Sequence, residues 1–174
     1  MRYLAIACLV VLAACSGRPD LDAEKLSDRD FNLEEFFEGR TKAYGQFQDV
    51  LGRVSRRFEV DIAGTWDGQT LKLVEDFTYS DGYQEQRIWT LTKTGDDTWT
   101  GTAPGVIGQA EGREAGDTFN WAYTIDLPVP DGTIRVSFDD WMWLLSDRRV
   151  LNKAYMKKSG VRVGEATIMF EKVR

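Results

Sequence analysis

The stretch Phe119-Asn120-Trp121-Ala122-Tyr123-Thr124-Ile125-Asp126-Leu127 alternates large apolar side chains with small or polar ones along its whole length. A period of two places the apolar set on one face of an extended strand, which a helix of 3.6 residues per turn cannot do. The same period recurs at Phe58, Val60 and Ile62, at Ile134, Val136 and Phe138, and at Ala166, Ile168 and Phe170. Turn signals punctuate the runs: Asp67-Gly68, Asp81-Gly82, Gly95-Asp96, Pro104-Gly105, Gly116-Asp117, Asp131-Gly132 and Ser159-Gly160. No helical segment between them is long enough for a parallel crossover, so neighbouring strands pair antiparallel. About ten strands, each with one apolar face, predict an all-β, antiparallel up-and-down barrel, with a β-sandwich as the alternative.

Composition narrows the chemistry. The chain has 174 residues, 43% apolar and 29% charged, the proportions of a globular protein. It contains no histidine, which excludes Ser-His-Asp and Cys-His catalysis, His-ligated haem and His-dependent zinc sites. A net charge of −6 argues against binding nucleic acid, or an anionic membrane, through bulk electrostatics. No nucleophile elbow, phosphate loop or metal-ligand cluster is present, so no catalytic residue, cofactor or metal is assigned.

The N-terminus carries an address. Arg2 precedes an apolar run, Leu4 to Leu12, too short to span a bilayer as a mature helix, and the run ends in Leu12-Ala13-Ala14-Cys15. That ending resembles the lipobox of bacterial lipoprotein precursors, in which the cysteine is acylated and the signal removed ahead of it. On this reading residues 1–14 are a signal peptide, Cys15 bears the lipid that anchors the protein to a membrane, and Cys8 is lost with the signal. Ser16, rather than an aspartate, follows the cysteine; in lipoproteins this implies the periplasmic face of the outer membrane. Residues 15–30 are polar, contain Pro19 and read as a flexible tether, leaving 31–174 as a single barrel domain. Asn32 with Glu35 makes a capping-box pattern and Gly39 a stop, so Leu33, Phe36 and Phe37 form the apolar face of a short helix that must pack on something.

Several positions could line or close a binding site. Gly64-Thr65-Trp66, following the short helix near the start of the strands, resembles the Gly-x-Trp signature of lipocalins. There the tryptophan plugs the closed end of the barrel and the glycine admits a neighbouring element. A three-residue loop at Ser80-Asp81-Gly82 sets Tyr79 opposite Tyr83, Leu73 opposite Trp89 and Glu75 opposite Arg87. Glu75 and Arg87 are thereby expected to form an inward ion pair, either as an anchor for a carboxylate or phosphate head group or as a buried structural bridge. At Asp139-Asp140 the apolar positions switch from even numbers to Trp141 and Trp143, which predicts a β-bulge at those acids. The two tryptophans are then expected on the inner face, with Asn152 across the next turn from Trp143. Such aromatic residues could line a cavity or fill a solid core.

The combined pattern Glu75-Asp76-Phe77-x-Tyr79-x-Asp81-Gly82, Arg87-x-Trp89, Asp139-Asp140-Trp141-Met142 and Val163-Gly164-Glu165 resembles a proteobacterial lipoprotein family, domain of unknown function 3833. Phe36-Phe37-x-Gly39 and Arg57-Phe58-x-Val60 fit it too. The resemblance brings no established activity; the genes of its members lie near those for fatty-acid-modifying enzymes, which points toward lipids. Three readings follow: a lipocalin-like module for a fatty acid or other lipid, an accessory envelope lipoprotein acting through an apolar patch beside Phe36 and Phe37, and a carboxylate-based enzyme. The anchor is tested by growing cells on an alkyne-bearing fatty acid. The wild-type chain is expected to take up the label and Cys15→Ser to take up none; equal labelling of both would remove the anchor.

Overall fold

The computed structural model describes residues 17–25, 27–129 and 132–173, apart from the side chains of residues 128 and 129. The signal segment and Cys15 lie outside them. Among the described residues one short helix, α1 (Leu33–Phe37), precedes ten strands: β1 (Gly39–Asp49), β2 (Val54–Trp66), β3 (Thr70–Tyr79), β4 (Gln84–Lys93), β5 (Thr98–Thr102), β6 (Ala110–Ala115), β7 (Thr118–Val129), β8 (Gly132–Ser146), β9 (Arg149–Lys158) and β10 (Val161–Lys172). Each strand pairs antiparallel with its successor, and β1 pairs with β10 from Thr41↔Lys172 to Asp49↔Gly164, so the sheet closes on itself. The result is the up-and-down barrel that the alternating pattern predicts, not a sandwich. Outward positions such as Lys42, Glu59, Asp61, Lys72 and Asp76 are charged, so the wall faces water rather than lipid.

One end is plugged by α1. Phe31, Leu33, Phe36 and Phe37 are all buried, with edge-on ring contacts from Phe31 to Phe119 and from Phe37 to Phe170. The helix has five residues, and the side chain of Asn32 does not cap its backbone. Its N-terminus is instead tied to the barrel, where buried Glu114 accepts from the Leu33 amide at 2.8 Å and from Trp99 Nε1 at 3.0 Å through the same oxygen. Gly64 is what lets the helix settle. A Cβ built there would lie 1.9 Å from the Phe37 carbonyl oxygen, a backbone atom that cannot swing aside. Trp66 packs on Trp99 with 5.7 Å between ring centroids, at the plugged end. Gly64 and Trp66 thus both lie at the plugged end.

The N-terminal segment is not free over its described length. Arg18 pairs with Asp139 at 3.0 Å, Asp22 with Arg113 at 2.8 Å, and Lys25 packs over Gly116 and donates to Thr118 at 3.4 Å. The Phe31 amide then donates to the Gly116 carbonyl at 2.7 Å and delivers the chain to the plug. Over these residues the chain lies as a strap on the barrel wall, and the expected bulge at Asp139-Asp140 is absent. The β7·β8 register runs unbroken from Thr118↔Trp143 to Val129↔Gly132, and the shift between β8 and β9 falls at Leu144/Ser146, not at Asp139-Asp140. The even positions of β8 therefore keep facing inward. Trp141 lies on the outer face yet is 3% exposed, its Nε1 donating at 3.0 Å to the Asp139 that Arg18 also grips. The apolar switch in the sequence records a covered patch of outer wall.

Gly64→Ala is expected to destabilise the barrel by about 1–3 kcal/mol or more, because the overpacked neighbour is backbone. Gly17→Ala, with nothing within 4 Å of the added atom, is expected to melt like the wild type. Equal melting temperatures for the two variants would show that the plug does not need the close approach.

Candidate functional site

Above the plug the barrel is hollow. A cavity of about 990 Å³ runs from the layer of Leu73, Trp89 and Trp121 to a mouth at the hairpin ends carrying Asp49, Tyr83 and Gly164. Such a volume lies at the upper end of the range for small-molecule sites. The walls are aromatic because the inward positions of β2, β3, β4, β7 and β8 hold Phe58, Phe77, Trp89, Tyr123 and Phe138. The rings brace one another: Trp89 meets Tyr123 edge-on at 5.1 Å, and Tyr123 stacks on Phe138 at 5.1 Å. Others lean over glycines: a Cβ at Gly45 would come within 2.4 Å of the Phe58 ring, and one at Gly112 within 2.5 Å of the Trp121 ring.

Polar groups stand part-way down this apolar shaft. The β3–β4 register is the expected one: Leu71↔Leu91, Leu73↔Trp89 and Glu75↔Arg87, with the Tyr79 amide donating to the Tyr83 carbonyl at 2.9 Å and Gly82 at φ +84°. Glu75, Arg87, Trp89 and Tyr79 all line the cavity. The expected ion pair is different in detail, however. Arg87 donates to Glu85 at 3.3 Å, two residues along the same strand face, while Glu75 acts on it only through the longer-range field. Glu85 also accepts from the Tyr79 hydroxyl at 2.6 Å, and the Arg56 guanidinium covers the Tyr79 ring at 3.5 Å near the mouth. A ladder of charge and hydroxyl thus runs from the mouth to Arg87, whose guanidinium also sits 5.1 Å from the Phe77 ring centre.

Asp140 is the residue that sequence reasoning misplaced. With no bulge before it, it faces inward and lines the cavity together with Glu75 and Arg87, beside Tyr123 and Asn152. Burial pushes the Asp140 carboxyl up to about 7; the charges of Asp139 and Glu75 act in the same direction, while Asn152 and Arg87 oppose it. Burial likewise raises Glu75 to about 7, against the pull of Arg87. Tyr123 is held far above the usual phenol value, chiefly by burial. Two carboxyls that titrate near neutrality therefore share one cavity with Arg87.

Other expected residues fall elsewhere. Trp141, Trp143 and Asp139 belong to the outer face and line no part of the cavity. Asn152 does line it, 1% exposed, but it pairs with Met142, because the irregularity at Leu144/Ser146 moves the register by one and sets Trp143 against Leu151. Asn152 donates to the Trp141 carbonyl at 3.3 Å. Glu85 carried a signal that was there to use, since it stands two residues from Arg87 and so on the same strand face. Among the described residues no group of three or more acidic or cysteine side chains is arranged to hold a metal ion.

The raised carboxyls fix a pH dependence. Glu75 and Asp140 hold protons in the folded state up to about pH 7, whereas an unfolded chain loses them near pH 4. Stability is therefore fully present below about pH 4 to 5 for these groups and falls as pH rises toward 7, by roughly 3 kcal/mol for one such carboxyl acting alone. The aspartates Asp49, Asp67, Asp81 and Asp126, whose values are lowered by hydrogen bonds, act in the opposite sense only at more acidic pH. Thermal melts are expected to give a higher Tm at pH 5.5 than at pH 8, and Asp140→Asn or Glu75→Gln to flatten the profile while raising Tm at pH 8. A wild-type Tm that climbs from pH 5.5 to pH 8 would contradict the assignment.

No curated protein matches this sequence. Solved structures share its fold. The S-type phycobiliprotein lyase CPES of Guillardia theta aligns over 83% of this chain and 93% of its own, with a TM-score of 0.57 and 11% identity. Rv2717c of M. tuberculosis aligns over 79% of this chain and 93% of its own, at TM-score 0.59 and 14% identity. A protein of unknown function from the DUF3598 family of Nostoc punctiforme PCC 73102 covers 91% of this chain with 53% of its own, at TM-score 0.56 and 11% identity. At such identities the likeness concerns the fold alone. The profile of a family described as protein of unknown function (DUF3833) matches residues 9–172, nearly the whole sequence. The chain belongs to the DUF3833 family.

Proposed function

We propose that this protein is a lipoprotein held through Cys15 on the periplasmic face of the outer membrane, and that its barrel binds or carries an apolar ligand of the fatty-acid or lipid class. The observation that carries the reading is the hollow aromatic shaft with a half-buried arginine part-way down it. Among the described residues Arg87 makes one hydrogen bond, to Glu85, and its other donors are available to a head group. Glu75 and Asp140, protonated, can donate to the same head group, so an anionic ligand is read by one cation and two neutral acids. The lipobox-like Leu12-Ala13-Ala14-Cys15 supports the anchor. The phycobiliprotein lyase and this chain share a barrel fold, which is compatible with a ligand inside but names none.

Phe36 and Phe37 themselves, 4% and 3% exposed, are consumed by the plug and offer no surface to the accessory reading. A catalytic reading gains one observation: Glu75 and Asp140, both near 7, line one cavity, which is what acid–base chemistry on a bound ligand requires.

The test is titration with a naturally fluorescent polyene fatty acid, followed by mass analysis of the recovered ligand. Binding is expected to be saturable, and about tenfold weaker in Arg87→Leu, the fold-change of a lost charge-assisted hydrogen bond. It is also expected to weaken from pH 6 to pH 8, because an anion beside Glu75 and Asp140 raises their proton affinity. A ligand recovered unchanged supports a carrier, and a modified one an enzyme. Absence of binding to the wild type, or full affinity in Arg87→Leu, would overturn the proposal.

A further inference from the structure

The rim of the mouth differs from the rest of the surface. Because Asp49 pairs with Gly164, the hairpin ends of β1–β2 and β9–β10 are neighbours. They expose Val50, Leu51 and Val54 on one and Val161 and Val163 on the other, with Leu51 at 72% and Val161 at 68% exposure, and Tyr83 stands on the adjacent β3–β4 hairpin. Ten large apolar side chains are exposed among the described residues, and six of them are on these three tips. Val163 and Tyr83 also line the cavity, so the apolar lip and the opening are continuous.

Charge is sorted along the same axis. Within residues 49–57 and 156–165, Arg53, Arg56, Arg57, Lys157, Lys158 and Arg162 outnumber Asp49 and Glu165. Asp81, on the Tyr83 hairpin, is held by Arg56 at 2.8 Å. The turns at the plugged end carry Asp67, Asp96, Asp97, Asp117 and Asp147 against Arg148. A protein of charge −6 therefore has a basic mouth and an acidic floor. Beyond a Debye length of about 8 Å the net charge is screened, and at contact the nearer end decides the sign.

Apolar tips set among lysines and arginines suit the boundary between lipid head groups and acyl chains, where the aliphatic part inserts and the cations meet phosphate. We propose that the mouth rim docks on the surface of an anionic lipid bilayer, with the β1–β2 and β9–β10 tips among the head groups, so that the cavity opens onto the bilayer. The carrier reading explains why an opening belongs there; the docking itself rests only on the tips and the charges. The strap sets a condition. With Arg18 on Asp139, the chain from Cys15 reaches about 10 Å. About 23 Å of β8 separates Asp139 from the rim. Seating the rim thus requires the strap to leave the wall. Arg18 and Arg113, which hold it there, have side chains 63% and 52% exposed, and such pairs are weak. The released chain from Cys15 to Asp30 spans up to about 50 Å.

The test uses the full-length protein, processed in a Gram-negative host and reconstituted into vesicles of phosphatidylethanolamine and phosphatidylglycerol. A single new thiol at Leu51→Cys, Val161→Cys or, at the plugged end, Leu145→Cys is labelled with an environment-sensitive dye. Labels at 51 and 161 are expected to shift to the blue and to be quenched by lipids brominated on the acyl chain, and the label at 145 to do neither. Replacing phosphatidylglycerol by phosphatidylcholine, or Arg53→Glu with Lys158→Glu, is expected to abolish both effects. Quenching at 145 instead, at no position, or to the same extent without anionic lipid would overturn the proposal. The unsubstituted protein, passed through the same labelling, reports on the anchor separately, since acylated Cys15 takes no dye. Fatty-acid binding in solution reports on the carrier reading, so either can fail without the other.

Discussion

The fold turns on an approach too close for any side chain, the carbonyl of Phe37 against the α-carbon of Gly64. It brings α1 down onto the end of the barrel, where Phe31, Leu33, Phe36 and Phe37 join Leu71, Trp99 and Phe119 in one apolar cluster. Plugging one end makes the molecule asymmetric, since the core is packed there and the remaining volume is displaced toward the other end. A ring of ten strands is wider than its own side chains can fill. What remains open lies between the plug and the hairpin tips, and the cavity is a by-product of where the helix sits.

That placement also determines the electrostatics. A short barrel open at one end gives a group on its inner wall little access to bulk water, so charge at mid-depth must be compensated locally or titrated away. Both occur. Arg87 takes Glu85 as a partner, and Glu75 and Asp140, facing the same space, are pushed toward neutrality instead of being paired. A cavity built only to be stable would place apolar residues at these positions, because removing buried charge is often neutral or stabilising. These charged and titratable groups stand inside a shaft whose lining is otherwise mostly apolar.

Much of this was legible in the sequence. Strict alternation gave the strands, the turn dipeptides gave the connections, and the geometry of one three-residue loop gave the register that faces Glu75 with Arg87. The misreadings share a cause. Alternation reports which face of a strand is covered, not which face is inward, and on β8 Trp141 is buried on the outer face, bonded to the Asp139 that Arg18 also holds. A segment of polar residues with a proline looked like free chain because its contacts are ion pairs to distant partners, Asp139 and Arg113, that leave no local pattern. A bulge at Asp139-Asp140 leaves the direction of Asp140 open, and only the unbroken β7–β8 register brings this second carboxyl into the cavity. Asn152 was misplaced by an irregularity at Leu144/Ser146 that no glycine or proline announces.

The seam between β1 and β10 bears on how the molecule is made. Every other strand pair in the barrel joins neighbours in sequence, so nine of the ten ladders can zip from short hairpins and adjacent turns. Thr41 and Lys172 meet only after the whole intervening chain is in place, and the entropy of closing so long a loop puts this ladder last. Until then the sheet is an open ribbon with two unpaired edges, the form most prone to joining another copy of itself. The interval between ribbon and ring is therefore the vulnerable period in the life of the chain, and it is governed by the rate at which its first strand finds its last.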